Sequence, residues 1–337
     1  MDGKKLIVIL GATGNQGGSV IGTFLSDKTW RARGITRNAS STPAQALADK
    51  GVEMVEADLD EPASLDAAFE DASVIFSVTD FWNNYFDPSL REKKPADIPM
   101  NESTHSYEIQ QGKNVFDAVA KVPTLERLIF SSLSNATKWS KGKYPNVLHF
   151  TSKALAVEYG KEKYPELWGK TSVYQAGWYI SNFLNNPMSE NGIYHFISGI
   201  DGDTYLPFIT ADEDTGPAVR ALVLSPPGKN LIAYREWITP NEFAEIWSRT
   251  LGVAGNWLKL PDGQTISGIP EDLENELSDN FAYFNEFGYE GRDDPTLIHP
   301  HQLEIKFQLS SVEEWIKKQD WSAVLSDGTR RGNIRMY

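Results

Sequence analysis

Apolar and polar positions follow two rhythms along this chain, and the rhythms alternate. Leu6-Ile7-Val8-Ile9-Leu10 is an unbroken apolar run, as expected of a strand buried on both faces. Residues 19–25 then predict a helix, 30–36 a second strand, 44–50 a helix and 52–57 a third strand. Residues 62–70 predict a helix with Pro62 in its first turn. Strands are expected at 74–78, 127–132 and 171–175, separated by helices over 109–120 and 147–159. Strict alternation of strand and helix predicts right-handed crossovers and a doubly wound parallel sheet, an α/β fold of the Rossmann type.

Beyond about residue 180 the rhythm breaks, and Gly, Asn, Pro and Asp become frequent. The expectation is a nucleotide-binding domain over 1–185 and a smaller, mostly helical α/β domain over 186–337 on the substrate side. A helix over 217–224 and a strand over 230–238 are expected to return to the main sheet. Thr239-Pro240-Asn241-Glu242 has the form of a capping box opening a helix. Residues 80–106 show no period but carry Phe81, Trp82, Tyr85 and Phe86, which predicts a long loop serving as a lid or pocket wall. The acidic run Glu271-Asp272-Leu273-Glu274-Asn275-Glu276 reads as a solvated helix face.

Composition narrows the class. In 337 residues, 40% are hydrophobic and 12% aromatic, enough for a sizeable core. The net charge of −14 argues against direct nucleic-acid binding through a general basic surface. The absence of cysteine removes disulfides, thiolate metal sites and thiol nucleophiles, and the five His are too scattered to predict a metal site. No stretch reads as a signal peptide or membrane span, so the expected location is cytoplasmic, or nuclear if the role is regulatory.

The candidate chemistry begins at Gly11-Ala12-Thr13-Gly14-Asn15-Gln16-Gly17, between the first strand and the first helix. The first glycine permits the turn, the second lets a pyrophosphate approach the backbone, and the third lets helix and strand pack closely. The free N–H groups at the helix start favour an anion. The second strand ends Thr36-Arg37-Asn38-Ala39-Ser40-Ser41 with no acid to hold a ribose 2′-hydroxyl. A guanidinium there suits a 2′-phosphate, which favours NADP(H) over NAD, unless Arg37 is merely a surface residue. Asp58, before Leu59, either accepts from the adenine amine or caps the next helix. Thr79-Asp80-Phe81 ends the fourth strand, near the expected path of the pyrophosphate and ribose. His149 and Lys153 share one helix face at a spacing of four. In short-chain dehydrogenases that spacing carries Tyr and Lys. Here His149 takes the Tyr position, as a proton donor or as a structural histidine, and Lys153 suits the nicotinamide ribose; Lys153, His149 or a Tyr from the 80–106 segment is the candidate to assist proton transfer.

With these motifs in place, the chain resembles the NmrA-like proteins, atypical short-chain dehydrogenases. The likeness rests on Gly11 to Val20, Thr36-Arg37-Asn38, Val78 to Trp82, Gln111-Gly112-Lys113-Asn114, Ser131 to Asn135, His149-Phe150-x-x-Lys153 and Gly177-Trp178-Tyr179. It covers the first 185 residues well and the rest loosely. It implies that Gly11 to Gln16 bind pyrophosphate, Arg37 to Ser41 the 2′-phosphate side, and Asp58-Leu59 with Thr79 to Phe81 the adenosine. Lys153 with Trp178, Tyr179 and Ile180 should face the nicotinamide. The resemblance implies an NADP(H)-dependent oxidoreductase acting on an apolar or aromatic small molecule, with secondary metabolism as a setting. The alternative it implies is an NADP(H) sensor that binds a protein partner without chemistry. Two departures stand out: Gln110 occupies a position that is often basic in the family, and the usual catalytic Tyr is missing.

Overall fold

The computed structural model describes residues 3–183, 187–261 and 268–326. Its first half runs β1 (Lys5–Ile9), α1 (Asn15–Leu25), β2 (Trp30–Thr36), α2 (Thr42–Ala48), β3 (Glu53–Glu56), α3 (Pro62–Ala68) and β4 (Val74–Ser77). It continues α4 (Phe81–Phe86), α5 (Pro88–Lys93), α6 (Met100–Val119), β5 (Arg127–Ser132), α7 (Ala136–Trp139), α8 (Leu148–Lys163) and β6 (Thr171–Ala176). The strands lie in the order β3-β2-β1-β4-β5-β6, extended by Asn230–Ala233 and then Leu297–Ile298, and all are parallel. This is the doubly wound Rossmann sheet that the alternating rhythm predicts.

The apolar run of β1 explains its own depth. Ile7 and Ile9 face a core formed with α1 and the helix Ala211–Leu224. Leu6 and Val8 face the opposite core, which α3, α6 and α8 cover through Leu65, Phe116 and Ala156. A strand whose side chains enter two cores has no polar face to show, because successive residues point to opposite sides.

Three expectations are corrected. Residues 80–106 are not an irregular loop. Asp80 caps α4 by accepting from the Asn83 N–H, Asp87 caps α5 by accepting from the Ser89 N–H, and α6 begins at Met100. The period was invisible because the buried face of the first turns of α6 carries Asn101, Thr104 and Glu108. The expected strand over 230–238 divides: Asn230–Ala233 joins the main sheet, whereas Glu236–Ile238 pairs with Leu206–Ile209 in a separate three-stranded sheet. The helix expected from Pro217 begins at Ala211, and its acidic first turn (Asp212, Glu213 and Asp214) is the start signal.

The later part of the chain forms strands beside its helices. It contributes two three-stranded sheets and an aromatic core that includes Phe183, Phe196, Phe208, Phe243, Trp247 and Trp257. The capping box at Thr239 and Glu242 is present. Among the described residues, no helix is long and apolar enough to cross a membrane.

Candidate functional site

The glycine turn lies where β1 meets α1, at the carboxyl edge of the sheet. Gly11 has φ +63, a backbone state that L side chains rarely adopt, and a Cβ there would approach Val78 Cγ1 to 2.8 Å. A Cβ on Gly17 would run into the Gly11 carbonyl. Gly14 is the N-cap of α1 and no side chain caps that helix end. The turn is therefore a concave backbone surface with a positive helix terminus open to an anion. The side chain of Gln16 runs away from it: Nε2 donates to the Tyr179 hydroxyl at 2.7 Å, and Oε1 accepts from Ser131 at 2.8 Å. Burial pushes the Tyr179 phenol up to about 12, so it stays protonated.

At the end of β2, Arg37 is exposed. The loop beyond it is organised by its own polar groups. Asn38 Oδ1 accepts from the Ser40 N–H at 2.9 Å and the Ser40 hydroxyl at 2.7 Å, Ser41 donates to the Asn38 carbonyl, and the Ala39 N–H donates to Glu56. Hydrogen bonds from Ser89, reinforced by the Arg37 charge, hold the Asp87 carboxyl below its ordinary range. Arg37 therefore reaches the electrostatic neighbourhood of the α4–α5 segment.

Asp58 accepts from the Asp60 N–H at 3.0 Å and so closes a local turn. Leu59 is fixed through its carbonyl, which accepts from Asn114 at 2.8 Å. Asp80 spends both oxygens on Asn83, on its N–H and on its side-chain amide. Phe81 is buried with Tyr85, Met100 and Leu273. Trp178 and Tyr179 form a short strand beside Leu206–Ile209, and Ile180 is buried. Trp178 packs edge-on against Phe183, with centroids 4.8 Å apart.

Lys153 and His149 lie one turn apart on α8. Lys153 Nζ is paired with Glu108 of α6 and lies 3.3 Å from the Thr79 carbonyl at the end of β4. The other Glu108 oxygen accepts from Ser152, and Glu108 has no exposed surface. The His149 ring is flanked by Trp82, at a centroid distance of 4.9 Å, and by Phe81 and Phe150. Its Nδ1 lies 2.6 Å from Glu276 on the helix Glu271–Phe287. The reading of that acidic run as a solvated face is thus corrected at Glu276, which is fully buried, and at Asp272, which accepts from Tyr85 at 3.1 Å and from the Asn101 N–H at 3.1 Å.

Glu108, Glu276 and Asn280 are the members of this cluster that sequence reasoning missed. Glu108 falls before the start expected for its helix. The buried position of Glu276 shows only in its phase: Leu273, Glu276, Asn280 and Tyr283 recur at three and four residues, the spacing of one helix face.

The comparisons with known proteins agree with this architecture. The profile of the NmrA-like family matches residues 3–323, and the chain belongs to that family. It is 27% identical over 315 residues to the NmrA-like family domain-containing oxidoreductase cpsB of Aspergillus campestris, covering 87% of this chain and 86% of that one. It is also 27% identical over 347 residues to the similarly named lnbB of Aspergillus flavus, covering 93% and 97%. The crystal structure of NmrA, a negative transcriptional regulator, in complex with NADP superposes with a TM-score of 0.70 at 20% identity, over 94% of this chain and 95% of that one.

Proposed function

We propose that this chain is an NADP(H)-dependent oxidoreductase acting on an apolar or aromatic small molecule. The observation that carries the reading is the placement of Lys153. Its ammonium lies beside Thr79 at the carboxyl edge of the sheet, where parallel α/β sheets hold their ligands. The open N-terminus of α1 suits the pyrophosphate. Arg37 and the loop to Ser41 suit a 2′-phosphate, Asp58, Leu59 and Thr79 to Phe81 the adenosine side, and Lys153 with Trp178, Tyr179 and Ile180 the nicotinamide side. When bound, the reduced cofactor supplies a hydride. Lys153, already paired with Glu108, holds and orients rather than donating a proton, and His149 among Phe81, Trp82 and Phe150 is the group left to donate. The oxidoreductase names of the relatives cpsB and lnbB support catalysis over pure sensing.

Calorimetric titration with NADP+, NADPH and NAD+, on the native chain and on Arg37→Ala, tests the cofactor. The expected result is a preference for the phosphorylated forms that Arg37→Ala loses. NADPH consumption is then followed by absorbance with a panel of enones, imines and aldehydes. Tight NADPH binding with no turnover of any of them would overturn the catalytic reading and favour a sensor with a protein partner.

A further inference from the structure

Three side chains on one face of α6 reach the turn that follows β3. Tyr107, Gln111 and Asn114 stand four and three residues apart, so they leave the helix on the same side. Asn114 Nδ2 donates to the Leu59 carbonyl at 2.8 Å, and Gln111 Nε2 donates to Asp60 Oδ1 at 3.2 Å. The Tyr107 hydroxyl donates to Asp60 Oδ2. Burial first, then Asp60, then the charges of Asp58 and Asp87 push the Tyr107 phenol above its ordinary range, so it keeps the proton it donates. The Asp60 N–H closes the turn on Asp58 at 3.0 Å.

The other end of Gln111 faces α4, where its Oε1 accepts from Asn84 Nδ2 at 3.0 Å. The direction of this chain of bonds is set by chemistry. A carboxylate only accepts, so Gln111 must turn its NH2 to Asp60 and its oxygen to Asn84. Asn84 shares α4 with the buried Phe81 and Tyr85 and with Trp82, whose ring lies 4.9 Å from that of His149. Asp60, Gln111 and Asn84 thus form a polar bridge from the turn at 58–60 to the aromatic segment beside His149. One end is open to water: Asp60 is exposed, whereas Gln111 and Asn84 are buried. Water competes for an exposed carboxylate. A ligand laid over the turn removes that competition and strengthens the bonds that Asp60 accepts.

We propose that Asp60, Gln111 and Asn84 are positioning residues through which the adenosine end of the dinucleotide holds α4 in place as the wall of the substrate side. This rests on the dinucleotide site of the oxidoreductase reading. A ligand shifts an element only as far as it favours one state of that element over another. Here the favoured state is the one with the bridge closed, because only there do the bonds to Asp60 gain from the loss of water. No group on the path changes its charge. The nicotinamide takes no part, so the adenosine end alone is enough to close the bridge.

Amide exchange of the full chain over 83–86 in α4 tests this, at saturating NADP+ and at saturating adenosine 2′,5′-bisphosphate, which lacks the nicotinamide. The expected result is that each ligand slows exchange there by about fivefold, the contribution of one net hydrogen bond. Thr79 to Phe81 are assigned to the adenosine side too, so the variants separate a direct contact from the bridge. Gln111→Met and Asp60→Ala should still bind NADP+ by calorimetry yet lose the slowing over 83–86. Asp60→Ala carries the test if Gln111→Met does not fold, because the Asp60 side chain is exposed. Slowing of native size in the folded variants overturns the proposal, as does slowing of the native chain by NADP+ but not by the bisphosphate. A native chain that binds NADP+ with no change over 83–86 also overturns it. A folded variant that no longer binds NADP+ marks its residue as a ligand contact and overturns the positioning role. A native chain that binds neither ligand sinks the dinucleotide site and the bridge with it. A chain that consumes NADPH without the coupling sinks the bridge alone, and one that shows the coupling but consumes no NADPH sinks the oxidoreductase reading alone.

Discussion

At the scale of single residues, the site is built from groups whose freedom has been removed. Gly17 has no room for a methyl group because the Gly11 carbonyl occupies that space. Gly17→Ala should therefore cost about 1–3 kcal/mol of stability in a urea melt, together with a weaker calorimetric affinity for NADP+. Lys153 and Glu108 form a pair in which the carboxylate is fully buried. Removing only the cation strands the anion, so Lys153→Met should lose about 3 kcal/mol or more. The double variant Lys153→Met/Glu108→Gln should recover part of that loss in the same melt, because it removes the stranded charge. Equal stability of the single and double variants would refute the coupling. Most of these residues were legible in the sequence. The turn from Gly11 to Gly17 and the His149–Lys153 spacing follow from local patterns. The partner carboxylates do not, because what distinguishes Glu108 from an exposed glutamate is burial against an element 45 residues away in the chain.

At the scale of elements, the segment between β4 and α6 shows how capping substitutes for periodicity. Helices of six residues lack the length to be stable alone, and α4 and α5 each start on an aspartate that accepts from the backbone. Asp80→Ala and Asp87→Ala should each cost about 1 kcal/mol. The loss should appear as faster amide exchange over 81–93, with little change in the exchange of β1 or β5. The same region marks the limit of reading by pattern. A helix whose inner face is apolar announces its period, as β1 and α1 announce theirs. The start of α6 presents Asn101, Thr104 and Glu108 inward, and its order depends on Asp272 and Glu276 arriving from elsewhere. In the acidic helix the solvated-face reading misses Glu276 for the mirror reason: its buried glutamate and its exposed Glu271 are the same residue type.

At the scale of the whole molecule, the doubly wound parallel sheet followed from the alternation of elements, whereas the return of the chain to the sheet edge did so only in part. The strand Asn230–Ala233 extends β6, and the helix Ala211–Leu224 lies on α1 so closely that the Gly216 N–H donates to Ser19 at 2.9 Å. Burial at this scale also sets a pH dependence. Desolvation holds the His105 imidazole below its ordinary value of 6.5, so the folded state resists a proton that the unfolded chain accepts. The stability this residue contributes is complete above pH 6.5 and is lost as the pH falls from there through the lower folded value. Thermal melts should therefore show Tm falling on acidification below that point, and falling less steeply in His105→Gln.

The helix Glu271–Phe287 carries one more consequence, which concerns time rather than space. His149 and Asn101 are synthesised long before the residues that satisfy them, Asp272, Glu276 and Asn280. At a ribosomal rate of about 5–20 residues per second, the N-terminal half waits several seconds with the polar faces of α6 and α8 uncovered. The glycine turn and its strand can form during that interval, but the surroundings of His149 cannot. In a nascent chain, the capacity to hold a dinucleotide should therefore precede the completed site, which waits for residues 272–280.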